Sequence, residues 1–493
     1  MSKEDLIAEN EALKAKLVAM SNELSMTAFQ LQQLQKLIFG SRRERFISDH
    51  SDIQLNLFAD PEEAVRPAEA PTEEVTVKRK KRNKNHPGRN TFPDHFPVKE
   101  EILNPEGDVS DMKRIGEEVT DIVEYTPARL YIRRIIRPKY VPAEGEGKVM
   151  IADLPARAIH KGIAGSSLLA FLIVSKFVDH MPFYRLRQRL IRENQWDVSP
   201  STMNDWFVAV CTLMKPLYDH MRKKVLESGY IQADESYIKV QDGKKKSTHD
   251  GYQWVFHAVE DDIVLFNYHK GRDEKGATIF LKNYRGWLQA DGYSVYDKLG
   301  RKEGVELVGC HVHARRKFFE ARDYDRERAD YALNVYQQLY ALEKECKGMS
   351  DEERRQYRDH HSRPLLESFK GWLDEQALLI LPKSPIATAV RYSIRQWPKL
   401  IRILEDGRLE MDNNLIENKI RPLALGRKNY LFAGNHKAAQ RIAMIYSFFA
   451  TCKAREVDPY EWLKSTMDRI AAEPEIDMED LMPKKIVPAQ TIP

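Results

Sequence analysis

Tyr230-Ile-Gln-Ala-Asp-Glu-Ser-Tyr-Ile-Lys-Val240 is the stretch whose reading decides the fold. β-Branched and aromatic residues dominate it and a turn-like Asp242-Gly243 follows, so a strand is expected over 230–240. Two further runs, Tyr252 to Val259 and Ile263 to His269, are parted by Glu260-Asp-Asp262 and complete a three-strand meander. Next come a helical stretch from Ala277 to Tyr284, a strand from Gly286 to Asp291, a strand from Val305 to Cys310 and a helix from His313 to Arg322. Side chains alternate across a strand, so Asp234 shares its face with Gln232 and Ser236. Glu235 points the other way and is a poor ligand candidate.

Meander, helix, strand, helix is the layout of a ribonuclease H-like fold. It sets Asp234 on the first strand beside Asp291 at the end of the fourth. Both acids interrupt apolar or aromatic runs, where a carboxylate needs a partner or a metal to offset its desolvation. Two structural aspartates capping turns is the alternative reading. A long interval then precedes Asp412-Asn-Asn-Leu-Ile-Glu417-Asn-Lys-Ile-Arg-Pro422, and Asp330 to Lys347 and Asp351 to Gln376 within it read as helical. A helical insertion is therefore expected at about 325–405. Asp412, Asn413 and Asn414 are N-cap candidates, Glu417 and Arg421 share one helical face, and Pro422 is expected to end the turn.

Asp234, Asp291 and Glu417 are thus the candidate catalytic and metal-binding acids. Hard carboxylate oxygens suit two Mg²⁺ or Mn²⁺ ions, which leave positions open for phosphate and water. Arg421, Arg427 and Lys428 are candidate phosphate contacts. Cys310-His-Val-His313 resembles half of a zinc site, but no second half exists, so no zinc is expected. Cys310 reads as buried packing and His313 as possible support for the acids.

Upstream, residues 3–39 keep a heptad with Asn10, Leu17, Leu24, Leu31 and Ile38 at a positions and Leu6, Leu13, Met20, Thr27 and Leu34 at d positions. A dimerising coiled coil and an amphipathic helix folded onto its own core both fit. A Pro/Glu/Ala-rich linker follows, with the basic arm Lys78-Arg79-Lys80-Lys81-Arg82-Asn83-Lys84; DNA contact and a merely solvated charge run both fit. Glu117 to Tyr140 alternates like a small β module, with Thr126-Pro127-Ala128 between two strand-like runs. Ser166 to Leu217 reads as three helices, 166–179, 182–193 and one capped by Ser199-Pro200-Ser201. This suggests a helix-turn-helix with Ser201, Thr202 and Asn204 as base readers, against a plain helical subdomain.

The chain of 493 residues, 42% of them hydrophobic, suggests about three domains at roughly 150 residues each. Net charge is only +4, so nucleic-acid binding must rest on where cations cluster. Four scattered cysteines exclude a disulfide framework. No long apolar run or secretory leader is legible, which predicts a cytoplasmic, nucleoid-associated protein without a membrane partner.

Several motifs together resemble the DDE transposases of the insertion-sequence sixty-six family, the TnpC-like proteins. They are Leu37-Ile-Phe-Gly-Ser-Arg-Arg-Glu-Arg45, Gln54-Leu-Asn-Leu-Phe58, Tyr125-Thr-Pro-Ala-Arg129, Ile231-Gln-Ala-Asp-Glu235 and Gln289-Ala-Asp-Gly-Tyr293. Gly309-Cys-His-Val-His-Ala-Arg-Arg-Lys-Phe318, the Glu417 segment, Gly426-Arg-Lys-Asn-Tyr430 and Asp458-Pro-Tyr-Glu-Trp-Leu463 complete the set. The resemblance implies DNA cleavage and strand transfer, with the family's three acids at Asp234, Asp291 and Glu417. It also implies transposon-end and target DNA as partners, a homodimer or higher oligomer, and accessory proteins of the same element. One departure stands out: residues 104–150, where the family carries a cysteine zinc finger, contain neither Cys nor His.

The expected architecture is multidomain α+β or α/β. A coiled coil (1–45), a linker with a basic arm (46–103) and a small β module (104–150) precede a helix-turn-helix-like domain (151–228). A ribonuclease H-like domain with its insertion (229–440) and C-terminal helices (441–493) follow. Two rivals remain: a structure-specific nuclease without strand transfer, and a dimeric DNA-binding regulator with a decayed core.

Overall fold

A computed structural model describes residues 130–140, 150–241 and 247–484. The coiled coil, the basic arm Lys78–Lys84 and the first run of the β module lie outside the described residues. Of the module's second run, Leu130 to Pro138 has no regular secondary structure, and Ile132 is 89% exposed. That corrects the strand expected there: alternation gives a strand only where a second backbone completes the ladder. A short ladder does form just beyond, where β1 (Lys139–Tyr140) pairs antiparallel with β2 (Met150–Ile151).

Four helices come next: α1 (Ser166–Phe177), α2 (Phe183–Asn194), α3 (Pro200–Leu213) and α4 (Lys215–Glu227). Pro200 opens α3 at a position whose N–H needs no intrahelical partner, and Ser199 Oγ accepts the Thr202 N–H at 3.1 Å. The chain then enters the meander β3 (Tyr230–Gln241), β4 (Thr248–Ala258) and β5 (Ile263–His269). The expected 277–284 helix is instead α5 (Lys275–Thr278) and a 3₁₀ turn, Phe280–Asn283, broken at Leu281. Strand β6 (Gly286–Gln289), helix α6 (Ser294–Leu299) and strand β7 (Val305–Val308) complete a five-stranded sheet in the order β5-β4-β3-β6-β7. The meander is antiparallel, whereas β6 and β7 run parallel to β3.

Helix α7 (His311–Ala321) leads away from the sheet into α8 (Arg326–Glu345), α9 (Asp351–Leu379) and α10 (Pro385–Leu400), which share a separate apolar core around Phe318, Tyr336, Phe369 and Trp397. Charge also ties this unit together. Arg358 is fully buried and its guanidinium meets Glu343 with two bonds of 2.7 Å, while Arg354 bridges Glu343 and Glu410.

The chain returns as α11 (Asn414–Tyr430), α12 (His436–Ala454) and α13 (Pro459–Ala472). Helix α11 runs straight through Pro422 instead of ending there. The carbonyl that Pro422 leaves without a donor belongs to Asn418, an exposed residue whose backbone water can satisfy. Helix α12 covers the edge strand β5: Ser447 and Thr451 hydroxyls accept the Phe266 and Val264 N–H groups at 2.8 and 3.0 Å, satisfying donors a bare edge would expose. Among the described residues no helix is long and apolar enough to cross a membrane.

Candidate active site

The sequence places Gln-Ala-Asp twice, at Gln232-Ala233-Asp234 and Gln289-Ala290-Asp291. The sheet sets the two copies side by side, because β3 pairs parallel with β6 in a register that matches Gln232 with Gln289. Each aspartate lies two residues beyond its glutamine: alternation along β3 puts Asp234 on the face of Gln232, and Asp291 follows the end of β6. Strand β6 itself stops at Gln289, and Asp291 caps the following turn by accepting the Tyr293 N–H at 2.9 Å. Asp234 accepts the Glu235 N–H at 2.7 Å.

The glutamines are fully buried and hold the third acid's segment. Gln232 Nε2 donates to Gln289 Oε1 at 2.8 Å and to the Asp412 carbonyl at 3.1 Å, while Gln232 Oε1 accepts the Ile416 N–H at 3.2 Å. Gln289 Nε2 donates to the Glu410 carbonyl at 2.7 Å, and the Tyr230 hydroxyl donates to Gln289 Oε1 and accepts the Glu410 N–H. The chain returning from the helical unit is thereby stitched to the sheet at 410, 412 and 416, and Glu417 is the next residue. Neither glutamine was among the candidates from sequence, although the repeated Gln-Ala-Asp was a signal for both.

The three acids feel one another. Burial pushes the Asp234 carboxyl up to about 8, and the charges of Glu235, Asp291 and Glu417 push in the same direction. Glu235 is occupied elsewhere: Arg272 donates to its Oε1 at 2.6 and 2.9 Å, and the Tyr296 hydroxyl to its Oε2 at 3.0 Å. His313 joins the group from α7. Burial lowers its pKa, against the opposing pull of Asp291 and Glu417, which favours a neutral ring beside them. Its Nδ1 has no hydrogen-bond partner among the described residues, and the same holds for both polar side-chain atoms of the buried Asn413. Burial raises the Cys310 thiol to about 12, so it stays protonated in its packing.

Among the described residues no three His, Cys, Asp or Glu side chains stand close enough together to hold an ion as a ready-made cage. The donor chemistry nevertheless suits a hard divalent cation: half-buried carboxylates in mutual repulsion, one of them reluctant to ionise, beside a neutral imidazole with a bare buried nitrogen.

The remaining candidates separate. Arg427 is committed to the fold: its guanidinium lies 3.8 Å from the Tyr237 ring centroid and donates to Ser236 Oγ and the Tyr237 carbonyl, both at 2.9 Å. Arg421 and Lys428 are exposed on α11. At the start of α3, the Ser201 and Thr202 hydroxyls pair with Ser199 Oγ at 2.7 and 2.9 Å, and Asn204 is exposed.

A sequence model of a family described as "Transposase IS66 family" matches residues 161–441. One described as "IS66 C-terminal element" matches 447–483, and one described as "Transposase C of IS166 homeodomain" matches 28–100. Among curated proteins, the uncharacterized y4jD of Sinorhizobium fredii is 30% identical over 77% of this chain and 78% of its own length. The uncharacterized y4qI of the same organism is 30% identical over 98% and 92%.

Proposed function

The chain belongs to the IS66 family of transposases, and on that premise we propose that it cleaves DNA at transposon ends and joins the freed 3′-hydroxyls to target DNA. The observation that carries this reading is the register of the two Gln-Ala-Asp segments, with Glu417 stitched beside them by the same glutamines. The strand order β5-β4-β3-β6-β7, antiparallel then parallel, supports a ribonuclease H-like domain over 229–440 with the helical unit inserted at about 325–405.

In this reading Asp234, Asp291 and Glu417 hold one or two Mg²⁺ or Mn²⁺ ions. When bound, such ions lower the pKa of water and offset charge on the phosphate under attack. The protein's own part is to hold the three carboxylates in place through Gln232 and Gln289. His313, kept neutral, faces Asp291 and Glu417 without adding positive charge that would compete with a cation. Glu235, bound to Arg272 and Tyr296, stiffens β3 behind Asp234. Arg421 and Lys428 contact phosphates, and Ser201, Thr202 and Asn204 offer polar groups at the start of α3 for base edges. The N-terminal segment dimerises the chain and its basic arm adds affinity for DNA of any sequence; accessory proteins of the element complete the assembly.

The test is the full-length protein with DNA carrying the element's ends, in Mg²⁺, assayed for nicks and joined products. Asp234→Asn, Asp291→Asn and Glu417→Gln should each abolish both while leaving DNA binding intact. Full activity in any one of them removes that residue from the site. Nicking without joined products would make the protein a nuclease.

A further inference from the structure

Helix α11 does not end as helices ordinarily do. Its C-cap, Leu431, sits at φ 64° and ψ −48°, a conformation that costs a bulky L-residue and is normally left to glycine. The strained turn is fastened on both sides. The Leu431 N–H donates to the Arg427 carbonyl at 3.0 Å and the Phe432 N–H to the Tyr430 carbonyl at 2.7 Å, closing a γ-turn. Ala433 then bonds to both Lys239 and Gln241 at the end of β3, at 2.8 and 2.9 Å. What this fastening achieves is exposure of two large apolar side chains: Leu431 is 63% and Phe432 42% exposed. A strained backbone that presents apolar groups to water serves neither packing nor solubility, and strain of this kind collects where a ligand is gripped.

The surface leading to the turn indicates the ligand. Along the outer stripe of α11, Asn418, Arg421, Leu425 and Lys428 are exposed, and Glu417 alone on that side is acidic. Arg421 and Lys428 have no ion-pair partner among the described residues, whereas Arg427 between them is locked to β3 and stiffens the helix end. Free cations followed by a rigid apolar and aromatic tip form the arrangement that binds single-stranded nucleic acid, in which cations follow the phosphates and the ring stacks on a base.

We propose that Leu431 and Phe432 form a base-stacking wedge that engages nucleotides separated from their complement, with Arg421 and Lys428 holding the phosphates of the same strand. This rests on the reading of the chain as a DNA-cleaving transposase and assigns the wedge to an unpaired segment beside the cut.

The experiment uses the full chain in Ca²⁺ and compares a blunt duplex with one bearing an unpaired 3′ tail that contains 2-aminopurine. Wild type should bind the tailed duplex more tightly and change the probe's fluorescence. Phe432→Ala should weaken tailed-duplex binding by about tenfold and remove the fluorescence change, with blunt-duplex binding unaltered. Leu431→Gly should lose binding in the same way yet melt no lower than wild type, since glycine accepts the turn without strain; that separates loss of function from loss of fold. Both variants binding the tail as wild type does would overturn the wedge while leaving the transposase reading standing. Wild type binding neither DNA would overturn both. Variants that change only the oligomeric mass, measured by light scattering, would assign the patch to a protein contact and overturn the proposal.

Discussion

Gln232→Met removes the centre of the buried lattice while keeping nearly the same volume. Its amide makes bonds to Gln289 Oε1, to the Tyr230 hydroxyl, to the Asp412 carbonyl and from the Ile416 N–H, at 2.8 to 3.2 Å. Methionine leaves the Asp412 carbonyl and the Ile416 N–H without that partner, and each orphaned group costs about 1–3 kcal/mol. The expected destabilisation is therefore about 2–6 kcal/mol, read as a shift in the denaturant midpoint at constant slope. The local consequence is more specific. The Ile416 amide should lose hydrogen-exchange protection beyond the global loss, because it is the donor released. Glu417, the adjacent residue, then wanders, and a displacement of about 1 Å is enough for a 10²-fold fall in cleavage rate. DNA affinity should hold, since no phosphate contact is touched. Unchanged exchange at Ile416 together with unchanged cleavage would refute the claim that this glutamine holds the third acid in place.

Three further outcomes follow from the same structure. Burial lowers the Lys176 ammonium, which lies 4.2 Å from the Phe183 ring centroid, from 10.5 to about 8. The unfolded chain thus binds the extra proton between those values, and stability rises with pH across that window. Lys176→Met should gain about 2 kcal/mol at pH 7, less than the full 1.36 kcal/mol per pH unit because the ring attracts the cation, and the gain should vanish above pH 10.5 in urea melts. Arg358→Leu leaves Glu343 buried with Arg354 as its remaining partner and should cost about 3 kcal/mol, whereas the paired change with Glu343→Leu should recover most of it. Mg²⁺ or Mn²⁺ should raise the melting temperature of wild type more than that of Asp234→Asn, since a bound cation relieves the repulsion that Asp234 shares with Asp291 and Glu417.

Much of the fold was legible without coordinates because it rests on local rules. Ser199-Pro200 marks a helix start wherever it lies, and the span Ile263–His269 is a strand by composition alone. The errors fell where a neighbour decides the outcome. Leu130 to Pro138 alternates like a strand but gains no ladder partner among the described residues, and Pro422 stays inside α11, where the carbonyl it strands belongs to the exposed Asn418. Arg427 looked like a phosphate ligand, yet Tyr237, distant in sequence, holds its guanidinium.

By itself the sequence determined the order of strands along the chain and the family, and it singled out the candidate acids, since each is written in residue identity and short-range periodicity. Only the tertiary structure decided that Gln232 and Gln289 pair in register, that the chain returning from a long helical excursion docks on them, and that the helix bearing Glu417 ends in a strained, exposed tip. These depend on hydrogen bonds between residues far apart in the chain, such as the one from Gln232 to Asp412, and no local pattern encodes which distant carbonyl a buried amide will meet.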